Sequence, residues 1–353
     1  MDTERLIGHL CDINALVGNE KEASEKILEF FRPYCDKAWG DPFFNVIGYK
    51  KGEAKNPKKV MITAHYDQIG LIVAGYEKNG FLSVSNLGGV DTKVEGASCV
   101  TIHGRDDVFG VIGAKPPHLL SGQETKKNLK ITELFIDTGL SDDVLKEKVS
   151  IGDPVSIVSP VVKMKNGCLS GRNMDNRCGV AALVLILEQL QRLKHDNDIY
   201  VIATVQEETG SLGAMTAAYN LEPDVALVID VTHGDMPDAG KSKCFTLGKG
   251  IPVGIGPAYH RQETNRLLEI AGNERIPTSL SVESGDPGTE SWAIQVSRLG
   301  VATVEVSIPL RYMHTGVELV KVEDVEMAAC LAAKYSAGEI GEIRCGWNQE
   351  MLL

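Results

Sequence analysis

The chain has 353 residues, of which 36 are Lys or Arg and 48 are Asp or Glu, so its formal net charge is −12 with neutral histidines. This balance disfavours a nucleic-acid partner, which requires a basic surface to neutralise phosphates. The length is typical of about two domains, and no apolar run approaches the roughly 18–20 residues that cross a bilayer. The first residues, Met1–Glu4, do not resemble a signal peptide, so we expect a cytoplasmic protein without membrane or nucleic-acid partners.

Two amphipathic helices are predicted at the start of the chain, over residues 3–17 and Glu20–Phe31, because apolar residues recur there at helical spacing. Extended segments follow at Asn45–Tyr49 and Lys59–Ala64, and Val60–Ala64 is apolar enough for a strand buried on both faces. Short extended segments between glycine-rich turns then predict a β-rich unit. Its predicted strands are Ile69–Ala74, Phe81–Val84, Ser98–His103, Val108–Ile112 and Asp153–Val158.

After Leu169 the alternation of helix and buried strand resumes, which is typical of an α/β domain. A helix is predicted over Gly179–Leu193, and strands are predicted over Ile199–Val205, Val225–Val231 and Val301–Ile308. The pattern therefore indicates one α/β domain that is interrupted by an inserted β domain. We place the α/β domain at residues 1–67 and 164–353 and the insertion at residues 68–163.

Several common catalytic motifs are absent from the sequence. It contains no GxGxxG, GxxxxGK(S/T), GxSxG or HExxH motif, which disfavours dinucleotide sites, phosphate loops and the nucleophile of serine hydrolases. What remains is a set of His, Asp and Glu residues at the carboxyl ends of the predicted strands. Active sites of open α/β sheets form at that edge, so these residues are the candidates for chemistry.

The first candidates follow two predicted strands directly. His65 and Asp67 come after Val60–Ala64, and strand alternation places both side chains on one side, where the carboxylate can orient the imidazole. Glu207 and Glu208 come after the strand that ends at Val205. Two adjacent negative charges need a compensating cation unless both are solvated. With a metal present, one glutamate could bind it while the other moves protons.

Three further candidates each have a structural alternative. Asp175 precedes the predicted helix Gly179–Leu193 and could instead cap its N-terminus. Asp230 closes an apolar strand, where a charge needs a partner or an ion. His314 follows the last predicted strand, and a lone histidine in that place is often structural.

The order and spacing of these residues resemble those of the co-catalytic metallopeptidases, in which two metal ions share a bridging carboxylate. More narrowly, the chain resembles the M42 family, the group of glutamyl and tetrahedral aminopeptidases, some of which carry an endoglucanase label. The resemblance covers nearly the whole chain. It rests on His65, Asp175, Glu208, Asp230 and His314 and on the stretches Ala64–Gly70, Asn86–Gly89, Gly110–Gly113, Phe135–Asp137, Asp175–Arg177, Gln206–Gly210 and Ile308–His314.

The resemblance implies a site for two divalent metal ions. Asp175 is the implied bridge between them, one ion is also bound by His65 and Asp230, and the other is bound by Glu208 and His314. Oxygen and imidazole ligands of this kind suit Zn or Co, and Mn is compatible with them.

The family pattern also implies the reaction, which removes one amino-terminal residue from a peptide. Glu207 is the implied general base, which takes a proton from the metal-bridging water and delivers it to the leaving amine, while Asp67 orients His65. Five residues are implied to line the substrate pocket, and the glutamate among them replaces the usual aspartate of the family: Gly288, Thr289, Glu290, Arg311 and Tyr312.

A fold and an assembly are implied as well. The catalytic domain would contain a central mixed sheet with flanking helices, and the insertion at 68–163 would be barrel-like and used for oligomerisation. Relatives of this kind form homo-oligomers, in particular dodecamers built from dimers, which enclose the active sites and admit peptides.

Three alternatives are weighed against this interpretation. A deacylase or carboxypeptidase-like enzyme would use the same co-catalytic metals on a different amide. A glycosidase also uses two carboxylates, but Glu207 and Glu208 are adjacent in an extended segment and are expected to point apart, and the histidines would have no role. A non-catalytic binding module is disfavoured because all five ligands and Glu207 are present.

Overall fold

The computed structural model describes residues 2–113, 118, 130–240 and 244–338; residues 1, 114–117, 119–129, 241–243 and 339–353 of the expected domains lie outside the described residues. The helices are α1 Thr3–Asp12, α2 Lys21–Phe31, α3 Thr92–Glu95, α4 Asp142–Lys148, α5 Met174–Leu190, α6 Leu212–Leu221, α7 Arg261–Asn273, α8 Glu290–Gln295 and α9 Val322–Ala337. The first nine strands are β1 Lys37–Gly40, β2 Val46–Lys50, β3 Lys59–His65, β4 Gly70–Tyr76, β5 Phe81–Leu87, β6 Cys99–His103, β7 Asp107–Ile112, β8 Phe135–Asp137 and β9 Pro154–Ile157. The later strands are β10 Val162–Lys163, β11 Cys168–Gly171, β12 Asp198–Thr204, β13 Val225–His233, β14 Ile251–Ile255, β15 Thr278–Val282, β16 Ala302–Arg311 and β17 Glu318–Lys321.

A large mixed sheet forms the centre of the α/β part. Its strand order is β1–β2–β12–β3–β13–β16–β17–β11–β10, and β14 joins it beside β16 and carries β15. The middle strands β12, β3, β13 and β16 are parallel, whereas β1, β2, β17, β11 and β10 pair antiparallel to their neighbours. The expected mixed sheet is confirmed, and the parallel centre brings four carboxyl ends to one edge.

Both faces of the sheet are covered, which explains the continuous apolar strands. Val60, Ile62 and Ala64 of β3 lie in one core cluster with residues of α1, α2, α5 and α9. Met61, between them in the sequence, lies in a second cluster with residues of α6 and α8. Because successive side chains of a strand point to opposite faces, β3 is buried on both sides, as its sequence predicts.

The segment between β3 and β10 contains a closed barrel with the strand order β4–β5–β8–β7–β6–β9. The barrel strands pair antiparallel. It has an apolar core of its own, which includes Leu71, Leu82, Val100, Ile136 and Val155. Closure pairs every strand on both sides and so leaves no open edge. The predicted β-rich, barrel-like insertion is confirmed.

Two helix boundaries differ from the expectation. The first helix was expected to reach residue 17 but α1 ends at Asp12, where Arg177 donates hydrogen bonds to the carbonyl oxygens of Leu10 and Ile13. Helix α5 is bounded by Met174, five residues before the predicted start, but Asp175 and Asn176 have non-helical dihedral angles, so the regular helix begins at Arg177. Among the helices of the described residues, none is both long enough and apolar enough to span a membrane.

Candidate active site

The candidate residues meet at the carboxyl edge of the parallel strands. His65 is the last residue of β3, Glu207 and Glu208 come shortly after β12, and His314 comes shortly after β16. Asp175 lies in the first turn of α5, which packs against β3 and β13.

Asp230 differs from the expectation, because it lies inside β13 and does not end it. The strand continues to His233, since its backbone pairs with β16 as far as Leu310. In the sequence, the apolar run Val225–Ile229 ends at the charged residue Asp230, which suggested the end of the strand. The charge does not stop the strand, because the backbone pairing with β16 continues.

The five expected metal ligands form two groups that share Asp175. Nε2 of His65 lies 3.1 Å from Oδ1 of Asp175 and 3.8 Å from Oδ1 of Asp230. Nε2 of His314 lies 3.5 Å from Oδ2 of Asp175 and 3.5 Å from Oε2 of Glu208. Within each group the potential ligand atoms are within 4.8 Å of one another. The two oxygens of Asp175 therefore face different imidazoles, which is the geometry of a bridging carboxylate.

Glu207 lies beside the first group. Its Oε2 is 4.0 Å from Nε2 of His65, and one ligand atom from each of His65, Glu207 and Glu208 falls within the same 4.8 Å limit. The expectation that Glu207 and Glu208 point apart is therefore wrong. Gln206 has a φ of 56°, so the chain leaves the extended conformation before the two glutamates and both carboxylates reach the site.

Asp67 contacts both the imidazole and the backbone of the site. Its Oδ1 is 3.5 Å from Nδ1 of His65, on the side of the ring away from Asp175. The same carboxylate accepts hydrogen bonds from the backbone N–H of Glu207, at 3.1 Å, and of Glu208, at 3.2 Å. Asp67 is fully buried, and this one carboxylate lies beside His65 and holds the backbone of the two glutamates.

Glu318 has a similar place on the other side of the site and was not identified from the sequence. Its Oε2 accepts a hydrogen bond from the backbone N–H of Asp175, at 3.1 Å, and its Oε1 accepts one from the backbone N–H of His314, at 2.9 Å. The side chain is buried. The only sequence signal for Glu318 is its position four residues after His314.

Asn176 was also missed, and it resolves the alternative for Asp175. Its Oδ1 accepts a hydrogen bond from the backbone N–H of Gly179, at 3.0 Å, so Asn176 provides the capping contact expected of Asp175. Its Nδ2 donates to Oδ1 of Asp230, at 3.0 Å. Asp175 is thereby left with both oxygens directed to the two imidazoles.

The electrostatics of the cluster favour bound cations. Burial raises the pKa of Glu207 to about 8 and that of Glu208 to about 7, and nearby carboxylates add to both shifts. Burial likewise raises the pKa of Asp230 well above its usual range. The hydrogen bond with Asp175 raises the pKa of His314 to about 9. Buried carboxylates this close repel one another, and the mixture of imidazole and carboxylate donors fits divalent zinc, cobalt or manganese.

The expected pocket residues divide into two sets. Arg311 and Tyr312 line an open cavity together with Asp235 and Asp238, and Nη2 of Arg311 is 2.6 Å from Oδ1 of Asp235. The other three candidates begin α8 or precede it and are Gly288, Thr289 and Glu290.

The side chains of that second set point to buried carboxylates and strands. Thr289 donates a hydrogen bond to Glu305, at 2.6 Å. Glu290 is fully buried and accepts a hydrogen bond from Thr204 of β12, and burial raises its pKa to about 7. Among the substrate candidates, Arg311 and Tyr312 are therefore the ones that border the open cavity.

The fold and the site together define a protein of the α/β type with a carboxylate–imidazole cluster suited to metal. Comparison with known proteins agrees: the model of the M42 glutamyl aminopeptidase family matches residues 45–331. The chain belongs to this family. It is a peptide hydrolase of the aminopeptidase type.

Individual relatives support the same assignment along most of the chain. A putative aminopeptidase of Acetivibrio thermocellus is 34% identical over 92% of this chain and 96% of the relative. The lysyl aminopeptidase of Pyrococcus furiosus is 31% identical over 87% of this chain and 88% of the relative. The structure of the Pyrococcus horikoshii TET1 peptidase, described as assembling into a tetrahedron or a large octahedral shell, superposes with a TM-score of 0.82 at 26% identity and covers 95% of this chain and 99% of that chain.

Proposed function

We propose that this chain is a binuclear-metal aminopeptidase. The observation that carries the proposal is the position of Asp175, whose two oxygens face His65 on one side and His314 on the other. His65, Asp175 and Asp230 would hold one divalent cation, and Asp175, Glu208 and His314 would hold the second. Zn or Co suits these ligands best, and Mn is compatible with them.

The reaction assigns distinct roles to the residues around the cluster. Bound divalent cations supply Lewis acidity, which polarises the scissile carbonyl and makes a water molecule more acidic. Glu207 lies next to His65 and outside the two ligand groups that share Asp175. It takes the proton of the attacking water and later delivers it to the leaving amine. Asp67 keeps His65 and the backbone of Glu207 in position during this proton transfer.

Substrate contacts are proposed for the residues near the open cavity. Arg311 and Tyr312 border that cavity and would contact the amino-terminal side chain of the peptide. Gly288, Thr289 and Glu290 would support the pocket from the buried side, through the contacts of Thr289 and Glu290 with Glu305 and Thr204.

The division of the chain and its assembly complete the proposal. Residues 1–67 and 164–353 would form the catalytic domain, and residues 68–163 would form a domain for oligomerisation. The tetrahedron formed by the Pyrococcus horikoshii relative supports a homo-oligomer, and we propose a dodecamer built from dimers. The proposed location is the cytoplasm, and peptides are the proposed substrates.

The proposal is tested by release of free amino acids from unblocked peptides and from their acetylated counterparts, with Co(II) or Zn(II) and after chelation. Release is expected from the unblocked set alone, because the free α-amine must reach the site, and it should stop with the chelator. Glu207→Gln should lower kcat by about 10²–10⁴-fold with unchanged metal content. The exposed Glu25→Gln serves as the matched control and should behave as wild type.

Two results would contradict the assignment. Equal release from acetylated peptides would indicate a carboxypeptidase-like enzyme, and release of acetate in place of an amino acid would indicate a deacylase. No release from either set by a protein with two bound metal ions would exclude an aminopeptidase.

A further inference from the structure

The glycine turn at the end of β5, Gly88–Gly89, reaches from the barrel into the candidate active site. It belongs to the stretch Asn86–Gly89, to which the proposed function gives no role. The carbonyl oxygen of Gly89 lies 3.0 Å from Nδ1 of His314. An added Cβ on Gly88 would lie 3.3 Å from Cβ of Glu208. The turn therefore contacts His314 and lies beside Glu208, two residues of the group that Asp175, Glu208 and His314 form.

The contact of Gly89 selects one tautomer of His314. A carbonyl oxygen only accepts hydrogen bonds, so Nδ1 must carry the proton and donate it. Nε2 of the neutral ring is then free as a ligand atom, and it is the atom that faces Asp175 and Glu208, each at 3.5 Å. The hydrogen bond thus sets both the protonated nitrogen and the orientation of the ring.

The ring of His314 has fewer other contacts to hold it than the ring of His65, so the hydrogen bond to Gly89 matters more for its position. The side chain of His65 is 2% exposed and has Asp67 beside its Nδ1, whereas the side chain of His314 is 32% exposed. Surrounding side chains therefore restrict the ring of His314 less. Its backbone is held by Glu318, but that contact leaves the ring free to rotate.

Both positions of the turn require glycine. A Cβ on Gly89 would lie 2.7 Å from Nδ1 and 2.9 Å from Cε1 of His314, which is too close for any side chain. Gly88 has a φ of +74°, and a Cβ there would lie 2.8 Å from Cγ2 of Ile69. The turn can approach the imidazole to hydrogen-bonding distance because neither residue has a side chain.

We propose that the Gly88–Gly89 turn of the barrel is a positioning element for His314 and, through it, for the second metal ion. The inference rests on the proposed binuclear function and deepens it. It gives the barrel a part in the active site that is separate from assembly. The cation site formed by Asp175, Glu208 and His314 is complete only when the barrel turn is in place.

The test is a calorimetric titration of the metal-free protein with Co(II) or Zn(II), followed by the visible spectrum of the Co(II) form. Gly89→Ala should weaken one of two binding events by about 10–100-fold, the effect typical of losing an outer contact to a metal ligand, and should leave the other unchanged. His314→Ala should weaken the same event. The matched control is Gly113→Ala, which follows barrel strand β7 at a place where a Cβ meets nothing within 4 Å, and it should titrate as wild type.

A second variant adds no atom to the turn. Replacing the Gly89–Val90 amide by an ester, with the hydroxy-acid analogue of valine at position 90, makes the Gly89 carbonyl a weaker acceptor. It should weaken the same binding event by a smaller factor, and this variant decides the matter if Gly89→Ala does not fold.

The outcomes separate this inference from the proposed function. Two binding events of wild-type strength in Gly89→Ala, or in the ester variant when Gly89→Ala does not fold, would overturn the role of the turn. A wild-type protein that binds fewer than two ions would instead contradict the binuclear proposal itself.

Discussion

Two buried carboxylates hold the residues of the active site through backbone amides. Asp67 accepts hydrogen bonds from the N–H groups of the two adjacent glutamates. Glu318 accepts them from the N–H groups of Asp175 and His314. A hydrogen bond to the main chain fixes the starting point of a side chain, so these contacts set the geometry before any cation binds. Such hydrogen bonds to the residues around a metal site are typical of sites in which supporting residues position the ligands.

A third buried acid, Glu20, gives the protein a predicted dependence on pH. Glu20 is 1% exposed and accepts a hydrogen bond from the N–H of Gly18, at 2.8 Å. Burial raises its pKa to about 7, so the folded chain binds a proton that the unfolded chain releases near pH 4.5. The contribution of this group to stability is therefore full below about pH 4.5 and is lost as the pH rises through about 7.

Glu20→Gln should remove this dependence, because the amide keeps an acceptor oxygen for Gly18 and has no charge to bury. Near pH 5 the variant and wild type should unfold with similar free energies, and at pH 8 the variant should be more stable by about 2–3 kcal/mol. Urea denaturation of the metal-free protein at both pH values measures the difference. The control is the exposed Glu22→Gln in the first turn of α2, the helix that Glu20 precedes, and an equal gain there would contradict the explanation.

The site residues that the sequence predicted are those whose side chains are suited to the proposed chemistry. His65 and Glu208 stand out by residue type and by their place after strands, and Asp175 stands out by its place before a helix. Glu318 and Asn176 do not, since their partners include main-chain groups distant along the chain, such as the amide of Asp175, which lies 143 residues from Glu318. The role of Gly89 was hidden for the same reason, because its functional atom is a carbonyl oxygen that every residue has.

Helix α5 connects the opening helix to the catalytic edge through Arg177. The guanidinium is fully buried and donates hydrogen bonds to the carbonyl oxygens of Tyr66, Leu10 and Ile13 and to Oε1 of Gln68. These acceptors belong to the end of α1 and to the chain that follows β3. One side chain therefore joins three elements at the point where the site begins.

Arg177→Met should destabilise the protein by about 2–4 kcal/mol, because the buried acceptors lose their donors while a buried charge is also removed. The measurement is the midpoint of urea unfolding of the metal-free protein. Arg192→Met, an exposed position two residues beyond the end of α5, is the matched control and should change stability by less than about 0.5 kcal/mol. Similar losses in both variants would show that the buried contacts contribute little.

The predicted elements were those with a clear apolar pattern. The parallel strands β3, β12, β13 and β16 were all expected, since both faces are covered and their sequences are continuously apolar. Short or partly exposed strands such as β1, β10 and β15 were not expected, because their sequences show little alternation of apolar and polar residues. Backbone pairing with neighbouring strands holds them in place. A backbone partner distant along the chain has no signature in a local window.

The outer face of the barrel carries exposed apolar side chains that are suited to assembly. Phe109 and Val111 of β7 and Phe135 of β8 are 59%, 40% and 38% exposed and lie on adjacent strands. Large apolar side chains grouped on a surface are typical of a contact with another protein. This surface agrees with the proposed use of residues 68–163 in oligomerisation.

Phe109→Glu should therefore reduce the particle from the proposed dodecamer, twelve times the chain mass of 38.2 kDa, to smaller species. A charge in an apolar contact loses its solvation without a partner, and the exposed position should leave the fold of the protomer unchanged. Analytical ultracentrifugation measures the size. Trp39→Glu places the same charge at an exposed aromatic residue of β1 in the catalytic part and should leave the assembly intact. A wild-type particle in Phe109→Glu would exclude this surface.

The order of residues was sufficient to predict the α/β fold, the barrel insertion and the five metal-ligand candidates with Glu207. Strands buried on both faces have a sequence signal in their continuous apolar runs, and catalytic side chains must be of particular types at particular strand ends. Tertiary structure was needed to show that Glu207 and Glu208 converge, that Glu290 is buried, and that Gly89 of the barrel contacts His314. Those features depend on backbone turns and main-chain hydrogen bonds between distant segments, which residue type does not encode.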